Sequence, residues 1–515
     1  MSLAKLYSAS VVGLEAEPVE VEVDISNGKV NLTIVGLPDR VVEESRERVR
    51  SAIKNSGAIF PMKRVTINLA PADIRKEGPV FDLAMAMGIL IAGKQIAGEF
   101  EKSIFLGELA LDGSLRYITG VLPVCEMAVK RGFENLFVPE ENLAEAKILE
   151  GVNVYPVKSL EQLISHFLGV ELIDSEKSGG IVEKEPETFY DFDFANIKGQ
   201  DQAKRALEIV AAGGHNILMN GPPGSGKTLL ARSLPSILPR MTIDEMLEIT
   251  KIYSVSGILP KGEALIKIRP FRSPHHTSSA VSIVGGGAYP KPGEISLSHR
   301  GVLFLDELPE FPRFVLEVLR QPLEDGVVNV SRASGAISFP AKFILVAAQN
   351  PCPCGYLTDP LKQCNCSSST ITRYQKKISG PLLDRIDLHI EVPRVDYSKL
   401  ASSETGENSS KIRERVEAAR NIQQKRFSKS KPSASLRARN IFSNSEMGSE
   451  EVSQYCNLDE DAKILIKNAV LQMHLSARVY HRILKIARTI ADLDNSENIN
   501  QKHIAEALQY RTREK

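Results

Sequence analysis

Short β-branched runs alternate with helical stretches through the first third of the chain. Val19 to Val23, Val30 to Val35 and Val65 to Leu69 predict strands, and Val41 to Ser56 predicts a helix. Residues 1–172 therefore read as a domain of α/β or α+β type. No apolar period holds from Asp174-Ser-Glu-Lys-Ser-Gly-Gly through the acidic stretch to Glu187, so 173–190 reads as a linker. In 191–395 the predicted strands are apolar nearly throughout: Asn216 to Met219, Gly301 to Leu305, Phe343 to Ala348 and Leu388 to Val392. Strands buried on both faces have this composition, which predicts a parallel sheet covered by helices. Residues 396–458 read as a loop, a helix from Lys411 to about Phe427 and a basic linker, because Lys411 to Asn440 holds ten Lys/Arg against two Glu. Helical periodicity throughout 459–515 predicts a small all-α domain.

Composition narrows the choice of partners. With 64 basic and 64 acidic side chains among 515 residues, the chain cannot coat nucleic acid over its whole surface, so any polyanion site has to be local. Six cysteines in so long a chain do not make a disulfide framework, and four of them crowd between Cys352 and Cys366. That crowding points to a metal site in a reducing compartment. Glu15, Glu17 and Glu20 arrive too early for a signal peptide, and the most lipid-like stretch, Leu83 to Gly93, is too short to span a bilayer. The expectation is a cytoplasmic protein without a membrane partner.

Three patterns carry chemistry. Gly221-Pro222-Pro223-Gly224-Ser225-Gly226-Lys227-Thr228 follows one apolar strand and opens a helix, the setting of a phosphate loop. Its backbone N–H groups would close around the phosphates of ATP, Lys227 would reach the β- and γ-phosphates, and Thr228 would offer a hydroxyl to Mg²⁺. A second strand, Val302 to Leu305, delivers Asp306 and Glu307 at its C-terminal end, where ligands sit in open parallel sheets. Asp306 is predicted to hold Mg²⁺ through water and Glu307 to polarise the attacking water, which implies hydrolysis rather than phosphoryl transfer. A third strand ends in Asn350, placed to orient that water, and Arg385 precedes a fourth.

Strand, phosphate loop, Asp-Glu, terminal Asn and Leu-Asp-Arg385-Ile-Asp together resemble the AAA+ ATPases. The resemblance implies that Asn350 is sensor 1 and that Arg385 is a finger completing a neighbour's site, hence a ring. Phe194-Ala-Asn-Ile-Lys-Gly-Gln, Arg269-Pro-Phe-Arg-Ser-Pro-His-His, Gly285-Gly-Gly and the cysteine segment after Asn350 are similar to the magnesium-chelatase-like branch, specifically the ComM/YifB family, over essentially the whole chain. That similarity implies an N-terminal domain of the Lon-protease, ribosomal-S5-like fold, a central AAA+ domain with a helix-2 insert, and a C-terminal helical lid. It also implies a hexamer that drives branch migration of DNA during natural transformation. Arg478 occupies the sensor 2 position by the same similarity, with Arg482 four residues on as the alternative.

Several readings stay open. A Ser/Lys peptidase of Lon type would place its nucleophile after Gly78-Pro79, where Val80 stands, and its base near Leu122; neither side chain can do that chemistry. Cys352, Cys354, Cys364 and Cys366 form Cys-x-Cys twice, a spacing that suits either a Zn²⁺ knuckle or free, redox-active thiols. Three segments are candidates for DNA contact or simply solvated loops: Arg269 to His276 with Gly285 to Lys291, the turn Arg332-Ala-Ser-Gly335, and Lys411 to Asn440. Phe271 and Tyr289, the only aromatics in the insert, give no stacking platform. Rival readings are a metallochelatase motor, although the chain lacks an Asp-x-Ser-x-Ser motif, and an ATP-dependent protein remodeller without peptidase activity.

Overall fold

Valine and isoleucine at alternate positions, with Glu20, Glu22 and Asp24 between them, bury Val19, Val21, Val23 and Ile25 on one face of a long strand. The computed structural model describes residues 2–177, 190–260, 262–287, 290–332, 335–396, 406–428 and 441–511, with the side chains of 2 and 331–335 outside the description. These residues divide into two units: Met1–Pro186 with Ile243–Lys267, and Glu187–Thr242 with Ile268–Lys515.

The first unit is built on a mixed sheet of eight strands: β1 (Ser2–Val12), β2 (Glu15–Ser26), β3 (Asn31–Val35), β4 (Arg64–Ala70), β5 (Ser103–Phe105), β6 (Asn135–Pro139), β7 (Asn153–Val157) and β8 (Glu176–Lys177). Their order is β8-β7-β6-β5-β1-β2-β4-β3. Pairing is antiparallel between β1 and β2 and between β2 and β4, and parallel from β1 through β5 and β6 to β7. The lipid-like stretch forms a helix, Asp82–Ala92, of which all residues but Ile91 are buried. Gly88 lets it approach the sheet, since a Cβ there would stand 2.5 Å from Val23 Cγ2. The helix starts on Asp82, fully buried and ion-paired to Arg48 Nε at 2.7 Å. Burial pushes the Asp82 carboxyl up, and Arg48 and Ser45 work against that.

Residues 243–267 lie between the phosphate loop and the acidic pair in sequence, yet they assemble with the first unit. Their helix, Ile243–Ser256, anchors Lys251 Nζ to Glu126 Oε2 at 2.7 Å and to Glu15 Oε1 at 3.0 Å. Ser254 donates to the buried carboxylate of Glu145, which also accepts from the Leu122 backbone N–H at 2.8 Å. Leu265 closes a small apolar cluster with Leu122 and Ile148.

The second unit carries five parallel strands: β9 (Ile217–Asn220), β10 (Phe271–Arg272), β11 (Val302–Leu305), β12 (Ile344–Gln349) and β13 (Leu388–Glu391), in the order β10-β11-β12-β9-β13. Four of them fall within a residue of the predicted runs. The edge strand β10 was not anticipated as a strand. The helices Asp201–Gly213, Ser409–Ser428, Glu460–Gln472, Ala477–Leu493 and Gln501–Gln509 share one apolar core with the sheet, in which Val210, Val416, Ile483, Ile486 and Ile504 meet Ile217 and Leu388. The mixed α/β class, the parallel sheet and the helical C-terminal region are as expected. Among the described residues no helix is long and apolar enough to cross a membrane.

Removing one member of a buried ion pair leaves an uncompensated charge, typically at a cost of about 3 kcal/mol. Arg48→Met should therefore lower the free energy of unfolding by about that amount in urea titrations. Arg40→Ala, at a position whose side chain is 90% exposed, should change it by less than about 0.5 kcal/mol.

Candidate nucleotide-binding site

β9 runs parallel to β12 on one side and β13 on the other, so the loop that leaves its C-terminal end is gripped from both flanks. Gly221 N–H donates to Gln349 O at 3.2 Å, and a Cβ on Gly221 would stand 2.2 Å from Val392 O, so no other residue fits there. Gly224 and Gly226 take φ of +76° and +92° with open space beside them, a left-handed backbone of the kind that lets a loop turn N–H groups toward an anion. The helix Lys227–Ser233 opens directly behind it.

Lys227 is buried, and its Nζ donates to Gly221 O at 2.7 Å, Pro222 O at 2.9 Å and Asn350 Oδ1 at 3.3 Å. Burial pushes its ammonium below the ordinary lysine value, while Asp306 and Glu307 pull it back. Thr228 Oγ1 donates to Asp306 Oδ2 at 2.9 Å, so a hydroxyl and a carboxylate already share one point, as ligands of a hard divalent cation do. An open anion cradle with a cation at its floor and an oxygen pair at its rim fits a nucleotide phosphate and Mg²⁺. The structure thus gathers Lys227, Thr228, Asp306, Glu307 and Asn350 at the C-terminal ends of β9, β11 and β12, beside Gly221 to Gly226.

Two features of this edge are not visible in the sequence. Glu307 has a left-handed backbone, φ 53°, a strained choice for a glutamate. His276 Nδ1 lies 3.5 Å from Glu307 Oε2, an ion pair when the imidazole is protonated. The Ser-Pro-His-His segment held that residue in view, but nothing in its spacing announced the partner.

Arg385 and Arg478 lie elsewhere. Arg385 precedes β13, and its carbonyl accepts from Asn216 Nδ2, which precedes β9, so it stands at the N-terminal edge of the sheet. Five residues of β strand at about 3.3 Å each separate that edge from Gly221 by roughly 16 Å. Glu324 holds both arginines: Arg385 Nη2 pairs with Oε2, and Arg478 Nη2 reaches Oε1 at 3.3 Å. Arg482 is committed differently, with Nε 3.6 Å from Asp387 Oδ1 and Nη1 donating to Ile386 O at 3.4 Å. Asp387 also accepts from Asn216 N–H at 3.1 Å and lies 3.5 Å from His215 Nδ1. Burial alone would raise its carboxyl, but His215, Arg482 and the Asn216 N–H outweigh burial and hold it down to about 2.

The four cysteines come together after Asn350, with all Sγ atoms within 4.8 Å of one another. The segments proposed for DNA contact are different. Arg269 donates to Pro239 O and Arg300 O, each at 2.7 Å, and Arg272 pairs with Glu294 at 2.6 Å. Phe271, half-buried, stacks on Phe304 of β11 and packs against the core. In the described part of the basic stretch, Arg413, Arg415, Arg420 and Arg426 bind Ser236 O, Glu208 with Glu407, Ala211 O and Asp492 respectively. Val327–Arg332 and Gly335–Pro340 do pair as an antiparallel ribbon. Its turn at 333–334, Tyr289 and residues 429–440 lie outside the described residues.

A parallel five-stranded sheet with this loop and acidic pair defines a phosphate-loop protein of the AAA+ class, and the family models add the magnesium-chelatase type. Family models agree: "Magnesium chelatase, subunit ChlI" matches residues 193–400, "Subunit ChlI of Mg-chelatase" 21–142, and "Magnesium chelatase, subunit ChlI C-terminal" 406–511. The chain is 44% identical to competence protein ComM of Haemophilus influenzae, across 99% of this chain and 98% of that protein. It is 41% identical to the uncharacterized protein YifB of Escherichia coli, across 99% of this chain and 97% of that one. The chloroplastic magnesium-chelatase subunit ChlI of Glycine max is 22% identical over 70% of this chain and 83% of its own length. The chain belongs to the ComM/YifB family. That family's magnesium-chelatase-like AAA+ modules support an ATPase motor using ATP and Mg²⁺, in a class that is commonly oligomeric.

Arg482 is 17% exposed and faces a carboxylate that is itself 13% exposed, so Arg482→Ala should cost about 3 kcal/mol. Arg478 is 52% exposed, and Arg478→Ala should cost less than about 0.5 kcal/mol. Because the folded Asp387 carboxyl sits below its unfolded value of about 3.9, its contribution is complete above that pH and is lost as pH falls toward 2. Urea midpoints measured between pH 5 and pH 2.5 should fall less steeply for Asp387→Asn than for the parent chain.

Proposed function

We propose that the protein is an ATP hydrolase working as a hexameric ring that converts hydrolysis into movement along DNA and promotes branch migration in recombination during natural transformation. The observation that carries the ring is the separation of Arg385 from its own phosphate loop by the depth of the sheet. An arginine at the far edge of one subunit is positioned to serve a site on the next.

In this reading the backbone of Gly221 to Gly226 and Ser225 wraps the phosphates, and Lys227 exchanges its carbonyl partners for the β- and γ-phosphate oxygens. Thr228 would hold Mg²⁺ by its hydroxyl and Asp306 would hold it through water, and the ion would supply charge neutralisation on the phosphates. Glu307 takes the proton of the attacking water, and Asn350, already joined to Lys227, orients that water. Arg385 of a neighbouring subunit balances the charge of the transition state, and Arg478, held by the same Glu324, enters with it. The sensor 2 role thus falls to Arg478, because Arg482 is occupied by Asp387. The four cysteines bind one Zn²⁺.

DNA as the track is supported by similarity to a competence protein along the whole chain, and a peptidase role is disfavoured by Val80 and Leu122 at the positions where a Lon-type enzyme would carry its nucleophile and base. Val80 lies in a short 3₁₀ turn and Leu122 is buried against Ile148 and Leu265. A metallochelatase motor is the second reading, favoured by the three chelatase-type matches.

Glu307→Gln should bind ATP with parental affinity and lower turnover at least 100-fold. Arg385→Ala should lose turnover by itself and, mixed with parental protein, should lower the rate by more than its share. ATP hydrolysis should rise with four-way-junction DNA. A rate indifferent to DNA but raised by a porphyrin and a partner protein would instead select the chelatase reading.

A further inference from the structure

Cys352, Cys354, Cys364 and Cys366 bracket a segment with almost no apolar interior of its own. Leu357 is 42% exposed and Leu361 75% exposed, so hydrophobic burial does not hold this loop closed. Its shape is nevertheless definite at the sulfur atoms. Cys352 Sγ lies 3.4 Å from Cys354 Sγ and 3.7 Å from Cys364 Sγ, and Cys354 Sγ lies 3.6 Å from Cys364 Sγ. Four thiolates at about 2.3 Å from Zn²⁺ in a tetrahedron have edges of about 3.8 Å, close to these separations. The Cys366 N–H donates to Cys364 Sγ at 3.4 Å, which stabilises the sulfur as a thiolate.

This cluster reaches the phosphate loop along three routes. Gly355, φ +83°, directly follows Cys354; a Cβ on it would stand 2.5 Å from Pro223 Cδ and 2.7 Å from Pro223 Cγ, so its backbone lies flat on the loop. Within the same segment, Asp359 pairs with Arg394 at 3.2 Å. The carbonyl of the adjacent Pro393 accepts from Gln200 Nε2 at 2.6 Å, and the same nitrogen donates to Ser225 O at 3.1 Å. Upstream, Cys352 lies two residues beyond Asn350, whose Oδ1 accepts from Lys227. The segment therefore bears on Pro223, Ser225 and Lys227 together.

We propose that the four cysteines form a zinc clasp on the phosphate loop: one Zn²⁺ bound by four thiolates presses Gly355 against Pro223 and keeps the loop in the shape that takes up ATP. This rests on the zinc reading above and adds a task for the metal. Binding exchanges four thiol protons for one cation, with no change of oxidation state. Without the metal, the segment has no core to keep it folded, and the loop loses its outer support.

The test uses the full chain purified without chelator. Zinc content should be one per chain, and binding of a fluorescent ATP analogue with Mg²⁺ is measured before and after zinc removal. Removal should weaken binding at least tenfold, and added Zn²⁺ should restore it. Gly355→Val should keep its zinc and still bind the analogue about tenfold more weakly, which separates the contact from any loss of fold on chelation. A chain purified without zinc overturns both the metal and the clasp. A zinc-containing chain whose nucleotide affinity is unchanged by Gly355→Val overturns the clasp and leaves the metal in place. Failure of the untreated chain to bind the analogue overturns the ATPase reading instead.

Discussion

Parallel hydrogen bonding of β9 to β12 and to β13 is the constraint from which the nucleotide half of the chain follows. Because all strands of that sheet point the same way, everything that leaves their C-terminal ends converges: the phosphate loop after β9, Asp306 and Glu307 after β11, Asn350 after β12. Everything that precedes the strands is carried to the other edge, including Arg385 before β13. The same register makes Gly221 obligatory, since Val392 O occupies the space a side chain would need. One pairing pattern therefore both assembles a phosphate site and removes an arginine from it.

Charge at the far edge is organised in two layers. Asp387, His215 and Arg482 form a partly buried group that ties the helix Ala477–Leu493 to the sheet. Outside it, Glu324 joins Arg385 and Arg478 from different parts of the chain. The inner layer is structural, and the outer one presents two guanidinium groups held by a single carboxylate. In the proposed ring, a phosphate arriving from another subunit would compete with Glu324 for both.

Much of this was legible in the sequence because it depends on local patterns. Apolar runs located four of the five strands to within a residue, and the glycine spacing located the loop. β10 escaped because Phe271 and Arg272 form only a two-residue edge strand, too short for a period. Arg269, Arg272, Arg413 and Arg426 look like solvent-facing positive charge when read along the chain. Their partners, at Pro239, Glu294, Ser236 and Asp492, are long-range and invisible to composition. The return of residues 243–267 to the first unit has the same origin: Lys251, Ser254 and Leu265 find their partners more than a hundred residues away. Glu324 is an ordinary helix-end glutamate until the fold brings two arginines to it.

The central claim is that each nucleotide pocket is completed by a second chain. Its most direct measurement is the specific rate of ATP hydrolysis over a dilution series, with assembly followed in parallel by light scattering. The account predicts that the rate per chain falls as assemblies dissociate and recovers on reconcentration. A constant rate per chain in solutions that contain only monomer would contradict it.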